Sequence, residues 1–202
     1  MRHDLDRLMT ERELDAFIIP GNEGHNAYRD YITGGVKASA LVIKKRDADP
    51  ILIVNHMETD EAKKSGLPVM THDDFDLMAI IQEHGRGTEA SAAAFWGRVF
   101  DKLDLRGKLT FYGSADMQYA LRVVGLMGGK LSARVKVVSD KTPNIFETAF
   151  ETKDPDEVEK LRESGVRASA AMRQVREWLS SHRADGDVVH PHVRDDVRIG
   201  NR

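Results

Sequence analysis

The residues able to do chemistry are few and scattered. The 202-residue chain carries eight histidines. One local group of possible metal ligands stands out, His190-Pro191-His192 followed by Asp195-Asp196. Histidines on either side of a proline need not converge on one ion, and the stretch lies near the chain end, so it also reads as a solvated tail. A second group, Asn26, Tyr28, Arg29 and Tyr31, lies in the polar, glycine-bounded stretch GNEGHNAYRDYITGG, residues 21–35. Tyrosine, arginine and asparagine on irregular backbone suit a recognition surface, and the same residues also fit a short helix and turn between strands. Gly85-Arg86-Gly87-Thr88 imitates a phosphate loop, yet it follows a helical pattern rather than a strand and has no lysine or third glycine. The metalloprotease, serine-hydrolase and Walker motifs are absent from the sequence. The chain has no cysteine, which removes thiolate nucleophiles, disulfides and Cys-ligated metals.

Composition narrows the class further. A hydrophobic fraction of 41% and a charged fraction of 31% are those of a soluble globular protein. The net charge of −3 supplies no basic field for nucleic acid. The N-terminus, MRHDLDRLMTERELD, is charged from the start and lacks an apolar signal core. No stretch approaches the ~20 apolar residues of a membrane span. These features lead to the expectation of a cytoplasmic protein with neither nucleic acid nor membrane as partner. The length suits one domain with an appendage.

The elements that must position these residues follow in order. Residues 3–14 fit an amphipathic helix, and Ala16-Phe17-Ile18-Ile19 before Pro20-Gly21 reads as a buried strand. Strands are expected at 38–44 and 50–54, joined as a hairpin by the charged segment 45–49, with a short edge strand at 68–70. Helices are expected at 57–65, 74–84 and 89–103, the last capped by Thr88. A strand at 108–112, a helix at 116–127 ending at Gly128-Gly129, a strand at 135–138 and a short helix from Thr142-Pro143 to Phe150 follow. The fold class is therefore α/β, a mixed five- to six-stranded sheet flanked by helices and followed by one long helix.

That long helix, within ETKDPDEVEKLRESGVRASAAMRQVREWLSS at 151–181, has the best-marked start in the chain. Asp154 suits the N-cap, Pro155 the first helical position, and Glu157 closes a capping box. Val158, Leu161, Gly165, Ala168, Met172, Val175 and Leu179 recur in steps of three and four, an apolar seam of period 3.5. Such a seam packs along another helix, either within one domain or across a junction.

The same stretch resembles a known junction. Lys153-Asp154-Pro155-Asp156-Glu157-Val158-Glu159-Lys160-Leu161-Arg162-Glu163-Ser164-Gly165 is similar to the inter-domain segment of the metallopeptidase family of creatinase, prolidase and aminopeptidase P. Asn26 to Gly35 resembles that family's N-x-x-Y-x-T-G segment more loosely, with one extra residue and Gly35 in place of an aromatic. The resemblance spans roughly residues 3–189 and is specific at the junction. One departure is Phe150, where the family often has arginine.

The resemblance implies a ribonuclease H-like, non-catalytic N-terminal domain over 1–150, then the junction and first helix of a truncated catalytic domain over 151–189, and a tail over 190–202. The family's two divalent ions (such as manganese, cobalt or zinc) are held by Asp, His and Glu in the C-terminal domain, and none of those motifs is found on this sequence. This chain by itself is expected to bind no metal cofactor and to hydrolyse nothing. Its implied contribution is one wall of a cleft for short proline-containing peptides, through Asn26, Tyr28, Arg29 and Tyr31, together with homodimer contacts; the seam is expected to serve as an oligomer or inter-domain surface, covered by the catalytic domain in a full-length relative and by a second copy in this chain alone. The alternatives are a stand-alone α/β interaction module, or a domain from a relative acting on a small amide such as creatine.

Overall fold

The structure, a computed structural model, describes residues 2–21, 24–186 and 188–191. The chain divides into two compact units, Met1–Thr152 and Lys153–Arg202.

The first unit is built on strand β1 (Ala16–Ile19), four consecutive buried residues. It pairs antiparallel with β2 (Leu41–Lys45), which pairs antiparallel with β3 (Ile51–Val54). Parallel pairing then adds β4 (Val69–Thr71) beyond β3, and β5 (Gly107–Phe111) and β6 (Val135–Val137) on the other side of β1. The resulting order is β4-β3-β2-β1-β5-β6, a mixed sheet of six strands as the patterning leads one to expect.

Strand residues alternate between two cores because successive side chains leave opposite faces of the pleat. Phe17 and Ile19 join Val42, Leu52 and Val54 on one face, against helix α1 (Arg2–Glu11) through Leu5, Leu8 and Met9. Helices α2 (Ala27–Thr33), α3 (Thr59–Lys63) and α7 (Ile145–Phe150) complete that layer with Ile32, Ala62 and Phe146. Ala16, Ile18, Ile43 and Ile53 serve the other face, covered by α5 (Glu89–Leu103) through Trp96 and Phe100, and by α6 (Met117–Gly128) through Val123 and Met127. α4 (Leu77–His84) lies against α5. Both faces are buried, which is why these strands read as continuous apolar runs.

Capping fixes most helix starts. The Thr88 side chain accepts the Ser91 amide, and Asp116 accepts that of Tyr119. Three starts differ from expectation: the helix expected at 57–65 is a 3-10 turn at His56–Glu58 followed by α3 from Thr59, and two others shift as follows. α4 begins at Leu77, after a short 3-10 turn at His72–Phe75, because Asp76 adopts a left-handed backbone (φ 50°) that interrupts the helical run. α7 begins at Ile145, because Asn144 accepts from the amides of Phe146 and Glu147 and Glu147 reaches back to the Asn144 amide at 2.7 Å.

The second unit holds helix α8 (Pro155–Ser180), which runs for 26 residues or about 39 Å. Glu157 accepts the Asp154 amide at 3.1 Å, the reach-back half of the expected capping box. A hairpin of β7 (His182–Asp185) and β8 (Val188–Pro191) follows. It corrects the solvated-tail reading at its start, since His190 pairs with Arg183 in this hairpin. The segment was missed because its strands have no apolar alternation. The legible signal was Gly186, left-handed at φ 59°, between the two strands.

Candidate functional site

Asn26 is the buried N-cap of α2 and is 4% exposed. Its side-chain oxygen accepts the Tyr28 and Arg29 amides at 3.2 Å each. Gly113 closes over it from the end of β5. A Cβ at that glycine, whose φ is +96°, would lie 2.5 Å from Asn26 Nδ2. Among the described residues Asn26 Nδ2 has no hydrogen-bond partner. α2 ends at left-handed Gly34 (φ 76°), whose amide returns to the Asp30 carbonyl. The stretch read as irregular backbone is therefore largely a capped helix, the other of the two readings it allowed.

α2 sends its candidate residues in two directions. Tyr28 and Tyr31 turn to α7. Tyr28 stacks on Phe150 with ring planes 14° apart and centroids 6.1 Å apart, and Tyr31 meets Phe150 edge-on at 4.9 Å. Both also contact Phe146, and Asn144 Nδ2 donates to the Tyr28 hydroxyl at 3.3 Å. Phe150, the position departing from the family pattern, thus joins an aromatic cluster that sequence reasoning did not anticipate. Arg29 instead is buried and donates to the Gly24 carbonyl. Beside it His25 Nδ1 lies 2.8 Å from the Asp30 carboxylate, and these residues line a cleft of about 320 Å³ closed by Val36, Lys37 and Ser39. The four candidates share one short helix, but they do not face one cleft.

A polar hub holds this region against the sheet. Asp140 accepts from the Tyr112 hydroxyl at 2.6 Å, the Ile145 amide at 2.8 Å and the Arg12 guanidinium at 2.8 Å. Burial by itself would raise the Asp140 carboxyl. The hydrogen bonds from Tyr112, Ile145 and Lys141 and the Arg12 charge together outweigh it and hold the carboxyl below its ordinary value. Burial first, and then the bond to Asp140, push the Tyr112 phenol up. The hub ties α1, β5 and α7 together and so sets the position of Phe146 and Phe150.

A larger cleft of about 720 Å³ is lined by Asp6, Lys44, Asp47 and Asp49. Its buried ammonium is engaged: Lys44 Nζ donates to Asp6, to the Lys45 carbonyl at 3.0 Å and to the Ala48 carbonyl at 2.7 Å. The arrangement pins α1 to the β2–β3 turn, a structural role.

Among the described residues no group of three or more His, Cys, Asp or Glu side chains converges to hold a metal. His190 lies on β8, while His192, Asp195 and Asp196 fall outside the described residues. The described residues therefore offer no ligand set for the divalent ions of the resembling family. Gly85 and Gly87 are turn glycines with positive φ, and the Thr88 hydroxyl is taken up by the α5 cap and the His84 carbonyl at 2.8 Å. The seam on α8 stands open. Leu161, Met172, Val175 and Leu179 are 58, 70, 53 and 54% exposed, Val158 is half-buried, Gly165 and Ala168 are exposed, and no residue of α8 is buried.

No family model and no curated protein matches the sequence. Solved structures do match. A dipeptidase from Pyrococcus horikoshii OT3 aligns over 88% of this chain and 44% of its own, with a TM-score of 0.57 at 13% identity. An X-Pro aminopeptidase from Thermotoga maritima MSB8 aligns over 79% of this chain and 38% of its own (TM-score 0.54, 17% identity). The fold is shared with proline peptidases. A prolidase from Pyrococcus furiosus agrees, over 91% of this chain and 48% of its own (TM-score 0.52, 16% identity). The chain spans less than half the length of each of these three peptidases. The six-stranded α/β architecture expected from the junction resemblance is the architecture found. No helix among the described residues is long and apolar enough to cross a membrane.

Proposed function

We propose that this chain is the non-catalytic N-terminal domain of a dimetal Xaa-Pro peptidase-like hydrolase, joined to the first helix of the catalytic domain. The observation that carries the reading is the junction. Lys153-Asp154-Pro155 starts a capped 26-residue helix directly after a unit whose fold is shared with proline peptidases. Residues 1–150 are the corresponding N-terminal domain, and the junction helix opens the segment that begins at residue 151. The domain contributes a wall to the peptide cleft and contacts to a second copy.

For the cleft wall, the opening beside α2 is lined by His25, Asp30 and the buried Arg29, whose guanidinium donates to the Gly24 carbonyl, whereas Tyr28 and Tyr31 pack against α7. The chain's own residues bind and orient in this reading. The two metal ions and the hydrolytic step belong to the domain that follows in the family. A cytoplasmic setting belongs to the same proposal.

The test has two arms. Sequencing the transcript beyond codon 202 should reveal an open frame encoding Asp, His and Glu ligands; an immediate stop codon overturns the reading in favour of a stand-alone interaction module. The chain given manganese, cobalt or zinc should not turn over a Gly-Pro dipeptide or an Xaa-Pro tripeptide. Chelator-sensitive turnover would contradict the non-catalytic assignment.

A further inference from the structure

α6 meets the sheet through Val123, Leu126 and Met127, which are buried. Its opposite side is also apolar. Met117, Leu121, Gly125 and Gly128 follow one another in steps of four, four and three, which sets them on one stripe. Met117 is 72% and Leu121 67% exposed, and Val124 beside them is 41% exposed. Arg122 is the one charged residue of this 12-residue helix. Surface helices ordinarily carry polar residues on that side. The glycines add to the anomaly. Glycine inside a helix is unfavourable, and among the described residues nothing lies within 4 Å of a Cβ built at Gly125 or Gly128. Packing within the unit therefore does not call for them.

This surface differs from the α8 seam in its place. The chain leaves the first unit on the other layer, where α7 packs on α1 and Thr152 Oγ1 donates to Asp4 at 3.0 Å. α6 lies across the sheet from that exit.

We propose that α6 packs antiparallel on α6 of a second copy of this chain, with Leu121 of each seated on Gly125 of the other. The inference rests on the second-copy contacts included in the functional reading above and names their surface.

The stripe is divided by size. Large side chains, Met117 and Leu121, occupy its first half, and Gly125 and Gly128 its second. Antiparallel pairing lays the large half of each helix over the small half of the other. A parallel pair would set large against large and leave the glycines facing across a gap. Leu121 and Gly125 line an open groove of about 370 Å³ with Gly87, Glu89, Arg122 and Leu126, which is the seat offered to the second Leu121. Charge favours the same sense. Asp116 caps the start of α6 and Lys130 stands just past its end, 3.4 Å from Glu89. Antiparallel pairing brings each Asp116 to the Lys130 of the other copy and opposes the helix dipoles. The surface is self-complementary, as a twofold interface requires. One short helix per copy belongs to the size class of weak, reversible association, and the dimer Kd is expected on the order of 10 μM.

The test uses the full chain carrying Leu161→Glu and Val175→Glu throughout, so that the α8 seam contributes nothing to the association measured. Sedimentation should show a dimer. A monomer at ~100 μM overturns the pairing and leaves the N-terminal-domain reading, which the frame beyond codon 202 tests, untouched. Leu121→Glu, at an exposed position, should raise the Kd on the order of 10-fold or more with an unchanged denaturation midpoint for the first unit. An unchanged Kd rejects α6. Gly125→Leu is the sharper variant, because it adds apolar area to open surface yet fills the seat. It should weaken the dimer; tighter association would mean non-specific contact and reject the seating of Leu121 on Gly125. The sense of pairing is read from crosslinking, since the chain has no native cysteine. Met117→Cys and Gly128→Cys variants with different tags should give a mixed-tag dimer on mild oxidation. Met117→Cys alone should give almost none, because its two copies would lie about 18 Å apart along the helices. Rapid crosslinking of Met117→Cys with itself overturns the antiparallel sense.

Discussion

Ile18 in β1 and Leu161 in α8 are both large aliphatic residues in well-patterned elements, yet one is 0% exposed and the other 58%. In the sheet unit β1, β2, β3 and β5 each have a neighbour on both sides, and helices cover both faces, so the apolar residues of these strands meet partners from the same unit. α8 has the strongest start signals in the chain and no buried residue. Helix formation needs only local bonds and caps, whereas burial needs a second surface. Periodicity tells where an element will bury itself; it does not say against what.

The contrast should break first at the sheet. Phe17 is fully buried and meets Tyr112 and Phe146 edge-on at 5.5 and 5.2 Å. Phe17→Ala should cost about 3–5 kcal/mol, read from chemical denaturation at fixed chain concentration. A loss under about 1 kcal/mol would mean that the two layers share the load more loosely than this packing implies.

Next in size is the Asp140 hub. Asp140→Asn leaves the Arg12 guanidinium, 15% exposed, without its carboxylate and should cost about 3 kcal/mol at neutral pH. The pH dependence has a definite sign. Asp140 is held below its ordinary pKa in the folded state, so its contribution is present above about pH 4 and is lost as the pH falls through the lowered value. Tyr112 is shifted the opposite way. Its contribution is present below about pH 10 and fades as the unfolded phenol ionises above that. Denaturation midpoints measured from pH 3 to 11 should show both limbs, and the variant should lose most of the acid one. An unchanged acid limb would assign acid sensitivity to other carboxylates.

A smaller effect sharpens the candidate site. Asn26→Ala removes the α2 cap and should cost about 1 kcal/mol. If α2 also forms a cleft wall, the same substitution in a full-length parent should raise KM for short proline peptides with kcat little changed. Unaltered KM would leave Asn26 as a cap alone.

The smallest expected effect is on α8. Leu161→Ala, tested at a concentration low enough to keep the chain monomeric, should move stability by no more than about 0.5 kcal/mol. A loss several times larger would show that the seam is covered within the chain, and would erase the contrast between the two regions.

How much was legible follows the same division. Strands of apolar residues, the β2–β3 hairpin, the Thr88 cap and the full extent of α8 were all readable, because each is decided by neighbours within a few residues. The β7–β8 hairpin escaped because its strands lack apolar alternation, and only Gly186 between them marked it. At the candidate site the residue types were legible and their directions were not. α2 turns Tyr28 and Tyr31 onto Phe150, and Arg29 towards the opening beside His25, because a helix distributes adjacent positions around its axis and only the packed neighbours fix which side faces out.

The sequence by itself determined the α/β class, the positions of the six sheet strands, the junction helix and its seam, since hydrophobic period, caps and turn residues are local properties of the chain. Only the tertiary structure decided the order β4-β3-β2-β1-β5-β6, the Tyr112–Asp140–Arg12 hub and the fit of Gly113 against Asn26. Asp140 and Arg12 are 128 residues apart, and no local pattern marks such a pair. What brings them together is the packing of α1 and α7 on one face of the sheet, where a buried carboxylate is stable only once its donors have arrived from both helices and from β5.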